Sequence, residues 1–204
     1  MKNKKLQPLL FCLTTTGLIA GCDVQGPQEG FINTSSTTNA STPSINQTAY
    51  IKASNTDAGD QFGVGGVLLG NALALSANGA TLAVGATMEA SNAIEPRGNQ
   101  DNNAVYGAGA VYVFTFNGDI WTEQAYLKPT NPGPGDNFGF LIELSADGNT
   151  MAVSAHFESS SSTGVNGDQN DDGIPQAGAV YIFTRSGNNW SQQAYIKAKN
   201  ASGR

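Results

Sequence analysis

AGAVYVFT, Ala108 to Thr115, returns as AGAVYIFT at Ala177 to Thr184, 69 residues later. As a strand it places Val111 and Val113 on one side and Tyr112 and Phe114 on the other. Both faces are then apolar and both need cover. A lone four-stranded sheet cannot supply that cover, whereas a stack of sheets can.

The repeat extends on either side of this segment. ALSANGATLAVGA, Ala74 to Ala86, returns at the same offset as ELSADGNTMAVSA, Glu143 to Ala155. WTEQAYLKP from Trp121 returns as WSQQAYIKA from Trp190, and AYIKA also stands alone at Ala49 to Ala53. GDQFG, Gly59 to Gly63, returns as GDNFG, Gly135 to Gly139, after 76 residues, and an insertion of seven residues within GVGGVLLGNALALS accounts for the difference. Each unit reads as four short strands: one after the Phe-Gly pair, then TLAVGA or TMAVSA, then AVYVFT or AVYIFT, then EQAYLKP or QQAYIKA. Asn78-Gly79 and Asp147-Gly148 predict tight primed hairpin turns between the first two strands, and Asn117-Gly118 and Ser186-Gly187 join the last two. The small residues Ala83, Gly85 and Ala86, with Ala152, Ser154 and Ala155, suit crowded strands where stacked sheets approach one another closely.

These motifs together resemble the FG-GAP repeat, the blade of integrin α-chain propellers and of many bacterial envelope proteins. The resemblance rests on Phe62-Gly63 and Phe138-Gly139, on LAVGA and MAVSA, and on GAVYVF and GAVYIF, and it covers Ala49 to Lys197. It implies a seven-bladed β-propeller used for binding, often with calcium in blade loops. The chain departs from the family where Thr87 and His156 replace the proline-bearing end of its signature. The expected fold class is all-β: two four-stranded FG-GAP blades plus an orphan N-terminal outer strand, an incomplete propeller. Residues 49–61 form the orphan strand and lead-in loop, 62–130 the first blade, 131–199 the second, and 200–204 the truncated start of a further repeat.

The N-terminus reads as an address. Lys2, Lys4 and Lys5 precede the short apolar run Leu9 to Ala20, the pattern of a secretory signal over 1–21. Ile19-Ala20-Gly21-Cys22 resembles a bacterial lipobox, which makes Cys22 the lipidated first residue of the mature chain and the membrane a partner through its lipid anchor. The other cysteine, Cys12, lies within the removed segment, so no disulfide is expected. Asp23 resembles the signal that retains some lipoproteins at the periplasmic face of the inner membrane, the other placements being the outer membrane and the cell surface. Residues 22–48 have no Lys or Arg and few large apolar groups, so they read as a flexible polar tether.

Composition narrows the function. Of 204 residues 25 are Gly, 13% are charged and the formal net charge is -6, which fits many tight turns and excludes a coiled coil. Ten Lys plus Arg form no basic stripe, so a nucleic-acid partner is not expected.

Chemistry-bearing residues are few. Asp168, Asn170, Asp172 and Gly173 in GVNGDQNDDGI match the first half of a calcium loop, but position twelve from Asp168 is Ala179 rather than Glu. The segment reads either as a solvated polar loop or as a weak calcium site. No catalytic motif is found, and His156 reads as a loop or blade-edge residue. Asp60 and Asp136 recur in the same loop, which assigns them to capping backbone N–H groups. Tyr50, Tyr126 and Tyr195 with Trp121 and Trp190 read either as packing on the outer strands or as a glycan-stacking surface.

The expected function is a non-catalytic, envelope-anchored binding, adhesion or scaffold module with a protein or glycan ligand. Two alternatives stand beside it: a polysaccharide-acting or accessory propeller, and a fragment of a longer propeller. Two blades leave broad apolar faces uncapped, so further blades or self-association are expected.

Overall fold

The repeat builds two antiparallel sheets in a computed structural model that describes residues 46–64, 71–94 and 98–202. The signal, Cys22 and the tether up to residue 45 lie outside the described residues. Blade 1 contains β1 (Leu73–Leu75), β2 (Thr81–Ala86), β3 (Ala110–Phe116) and β4 (Trp121–Leu127), in that spatial order. Blade 2 contains β5 (Phe138–Leu144), β6 (Thr150–Ala155), β7 (Gly164–Val165), β8 (Ala179–Ser186) and β9 (Asn189–Lys197), ordered β5-β6-β8-β9-β7. The described residues contain no helix.

Repeated sequence produces repeated register. Ala83 faces Val113 and Val84 faces Tyr112 in blade 1, as Ala152 faces Ile182 and Val153 faces Tyr181 in blade 2. The two-sided pattern of the third strand is realised in full. Val111 and Val113 join a core that runs between the blades with Phe138, Ile142, Met151, Val153 and Tyr181. Tyr112 and Phe114 join a second core on the opposite face of blade 1.

Three local expectations are corrected. First, Ala49–Ala53 is not an outer strand. It lies outside both sheets because no neighbouring strand among the described residues offers its backbone a ladder, although Ile51 and Ala53 still pack against the Tyr112 and Phe114 core. We call this segment the strap. Second, the Asn-Gly and Asp-Gly hairpins are not primed turns. In the Asn78-Gly79 and Asp147-Gly148 pairs only the glycine takes positive φ, 70° in each, and its N–H donates to the carbonyl of Ser76 or Ser145. The Asn78 and Asp147 side chains instead accept from Ala80 N and Asn149 N two residues on, which locks a turn with one left-handed residue. Third, blade 2 carries a fifth strand, β7. The long β6–β8 connection lies along the outer edge of β9, where Gly164 pairs with Lys197 and Val165 with Ile196.

The blades meet at a seam of backbone. A Cβ on Gly85 would lie 2.1 Å from the Gly139 carbonyl oxygen, so β2 and β5 approach as closely as only glycine permits. Farther out, Arg185 of blade 2 donates to Gln124 and Thr81 of blade 1, and the Trp190 indole N–H donates to Gln124 at 3.0 Å.

Candidate functional site

The segment leading into each blade carries a polar network that repeats in most of its residues, the difference being that the Tyr126 hydroxyl of blade 1 bonds to Ser91. In blade 2, Glu158 is 1% exposed, and Lys197 donates to its Oε2 at 2.7 Å while Tyr195 donates to its Oε1 at 2.9 Å. The Ser160 backbone N–H also reaches this carboxylate. Asn131, in the loop ahead of β5, donates to Glu158 and to the Gln169 carbonyl and accepts from the Tyr181 hydroxyl. In blade 1 the same roles fall to Glu89, Lys128, Asn55, Gln100 and Tyr112. Lys128 Nζ lies 2.6 Å from Glu89 Oε2, an ion pair off the hydrogen-bonding direction. Burial lowers the Lys128 pKa, and the nearby Glu89 charge opposes that shift.

Asp60 and Asp136 cap the lead-in turns. Asp57 N donates to Asp60 at 3.1 Å and Gly133 N to Asp136 at 2.9 Å. Burial pushes Asp136 up to about 6, against the lowering effect of the Gly133 N–H, and the charges of Glu158 and Asp172 push the same way. Sequence reasoning missed Glu89, Lys128, Glu158 and Lys197. The signal was present, since Glu158 follows Glu89, and Lys197 follows Lys128, by the repeat offset of 69 residues.

The acidic loop is placed on the outer flank of blade 2. Asp168 and Asp172 are exposed, and Asp168 Oδ1 accepts from the Asn170 backbone N–H at 2.9 Å. Asp171 accepts from Ser161 and from Gly173 N, and these bonds hold its carboxyl below the usual carboxylate range. The Gln169 side chain ties the loop to Thr130 and Gln192. Among the described residues no group of three or more His, Cys, Asp or Glu converges as a metal cage. The His156 ring lies between Phe140 and Phe157, with centroids 4.0 and 3.8 Å away.

The aromatic set divides. Tyr126 and Tyr195 are fully buried and Trp190 is 3% exposed, so these three pack. Tyr50 is 78% exposed and Trp121 half-buried, and both line an open cleft of about 640 Å³ at the end of blade 1. Phe116 and Ile120 add apolar wall, while Lys52, Asp119 and Glu123 supply charge of both signs. Phe116 and Trp121 lie 5.2 Å apart at a 32° tilt, a nearly stacked platform. In blade 2 the corresponding space is filled by blade 1 itself, through Gln124 against Trp190.

A family model described as FG-GAP repeat matches residues 121–183. The matched span begins with β4 of blade 1 and crosses the seam into β8 of blade 2. The chain therefore carries an FG-GAP repeat on two antiparallel sheets consistent with partial propeller blades. A search of curated proteins finds no match.

Proposed function

We propose that this chain, with its FG-GAP repeat over residues 121–183, is a non-catalytic binding or adhesion module anchored to a bacterial cell envelope. One observation carries the reading. The repeat buries Trp190 in blade 2, yet leaves its counterpart Trp121 on the wall of the open cleft at the end of blade 1 with Tyr50 and Phe116. Aromatic faces beside Lys52, Asp119 and Glu123 suit a ligand with both apolar faces and hydrogen-bonding groups, a description that fits a protein loop or a glycan. The most buried carboxylates, Glu89 and Glu158, are committed to Lys128 and Lys197, which gives them a structural role in both blades.

Binding is tested by presenting the intact chain to glycan and envelope-protein arrays. Wild type is expected to bind a defined subset that Trp121→Ala loses, whereas hydrolysis of any arrayed glycan would overturn the non-catalytic reading. Anchoring is proposed at Cys22, on the strength of the lipobox-like residues before it. Labelled fatty acid should enter wild type and not Cys22→Ala, and fractionation would then distinguish inner from outer membrane. The proposal includes weak calcium binding at Asp168, Asn170 and Asp172, in the ~10⁻⁴ to 10⁻³ M range of extracellular modules. Calorimetry at millimolar calcium should show heat that Asp168→Ala abolishes, and no heat would remove calcium from the reading.

A further inference from the structure

We propose that the chain associates head to tail with a second copy of itself, the open face of blade 2 docking on the open end of blade 1. This rests on reading that end as a binding surface and names a partner for it. The covered seam inside the molecule supplies the template. Val111, Val113, Ala125 and Leu127 of blade 1 are 0–3% exposed because blade 2 lies on them. Their counterparts one repeat later are Val180, Ile182, Ala194 and Ile196. Val180 is 37% exposed and the other three are half-buried. The same apolar surface is therefore present a second time without its cover among the described residues.

The receiving surface is also duplicated. Ile142 of blade 2, 2% exposed, sits against blade 1, and its counterpart at the open end of blade 1 is Leu73, 52% exposed beside Leu75 at 55%. The polar latch has unmade equivalents. Trp190 donates to Gln124 across the seam, whereas the Trp121 indole N–H has no acceptor among the described residues and Gln193, the counterpart of Gln124, is exposed. A head-to-tail contact brings these two groups together.

The identity of the strap argues for a second copy rather than an unrelated partner. AYIKA at Ala49–Ala53 repeats letter for letter as Ala194–Ala198, which includes the end of β9. The strap presses Ile51 and Ala53 on blade 1 much as Leu127 of β4 packs in the core against blade 2. A docking blade 2 brings the same five residues to that seat, so identical side chains restore the packing that the strap gives up when it leaves. No backbone ladder holds the strap to either sheet.

Two residues set the strength. Ser154 stands where blade 1 has Gly85, and Glu143 where it has Ala74. Both lie toward the inner edge, where the internal seam has no room for a Cβ at Gly85. The contact between copies is thus looser there than the internal seam, and the Glu143 carboxylate, exposed in one copy, loses water on docking. The contact is heterologous, so each pair retains one free head and one free tail.

Sedimentation velocity on the purified full chain tests this over rising concentration. Wild type should grow beyond a dimer, while Leu73→Lys and Val180→Lys should each remain monomeric. Their equimolar mixture should give a one-to-one heterodimer and nothing larger, because one variant keeps the head and the other the tail. Glu143→Ala should lower the concentration for half-association by about tenfold, the effect of relieving roughly 1.4 kcal/mol of carboxylate desolvation. Thermal melts verify that each variant folds, and Leu75→Lys replaces Leu73→Lys if the latter does not. A monomeric wild type, single variants that still associate, or a mixture that stays monomeric while wild type associates each overturns the proposal. None of these affects array binding lost in Trp121→Ala, so the ligand reading stands or falls separately.

Discussion

Lys197 and Glu158 show what the repeat demands of single residues. Charged side chains are almost never fully buried unless paired, and here both are, with Tyr195 and the Ser160 N–H satisfying the remaining oxygen sites. Lys197→Met leaves the carboxylate buried without its cation, so the expected loss is about 3–5 kcal/mol, read from urea unfolding. Adding Glu158→Gln should recover much of that loss, because it removes the orphaned charge; no recovery in the double variant would refute the pairing argument. Asp136 makes a different prediction. Its folded pKa of about 6 lies above its ordinary 3.8, so the folded state holds the proton more tightly than the unfolded chain. The stability due to this group is full below about pH 4 and falls as pH rises through 6. Asp136→Asn keeps an acceptor for Gly133 N and should flatten that slope between pH 4 and 6, as measured by denaturant midpoints across pH. An unchanged slope would assign the pH dependence to another group.

The repeat makes the strands legible and leaves the edges obscure. β2, β3, β6 and β8 fall on the quoted motifs, because a two-residue alternation with apolar side chains on both faces is a local property of a covered strand. The strap was not legible in the same way. Its five letters match the end of β9, but a strand exists only where a neighbour completes the ladder, and that neighbour is not encoded in AYIKA. The buried ion pairs escaped for a related reason, since Lys128 sits at the outer-strand edge and its partner Glu89 lies in the loop after β2. Of the candidate site, the aromatic types were readable but their division was not. Whether a Trp is buried or left partly open depends on whether a second sheet lies against it, as Trp190 and Trp121 show. Gln124 of β4 tests that dependence on a neighbouring blade. Its side-chain oxygen accepts from Trp190 at 3.0 Å and from Arg185 at 3.1 Å, both on blade 2. Gln124→Ala strips the acceptor from two partly buried donors, so a loss of about 1–3 kcal/mol is expected with a red-shifted Trp190 emission. A shift in stability without any change in emission would place the effect elsewhere.

For the described molecule as a whole, the decisive feature is that the larger core belongs to neither blade alone. Val111, Val113 and Leu127 come from one sheet and Phe138, Met151 and Tyr181 from the other, and the Gly85–Gly139 approach leaves no gap between them. In a repeat protein the stability of each unit and the coupling across the interface add separately, and a strong interface makes the units melt together. Separate melting would require blade 2 to unfold while Val111 and Val113 became exposed to water, which removes one of the two faces that stabilise β3. The two tryptophans report the blades separately, Trp121 on β4 and Trp190 on β9. In Trp121→Phe the remaining emission follows blade 2, and in Trp190→Phe it follows blade 1. The Trp190→Phe variant loses the bond to Gln124 and should melt at a lower temperature. In each variant, however, the fluorescence midpoint should coincide with that of its own far-ultraviolet circular dichroism, because unfolding of either blade exposes the shared core. Midpoints that separate, with blade 1 outlasting blade 2, would show that the Tyr112 core and the strap sustain one blade alone and that the seam is the weaker link.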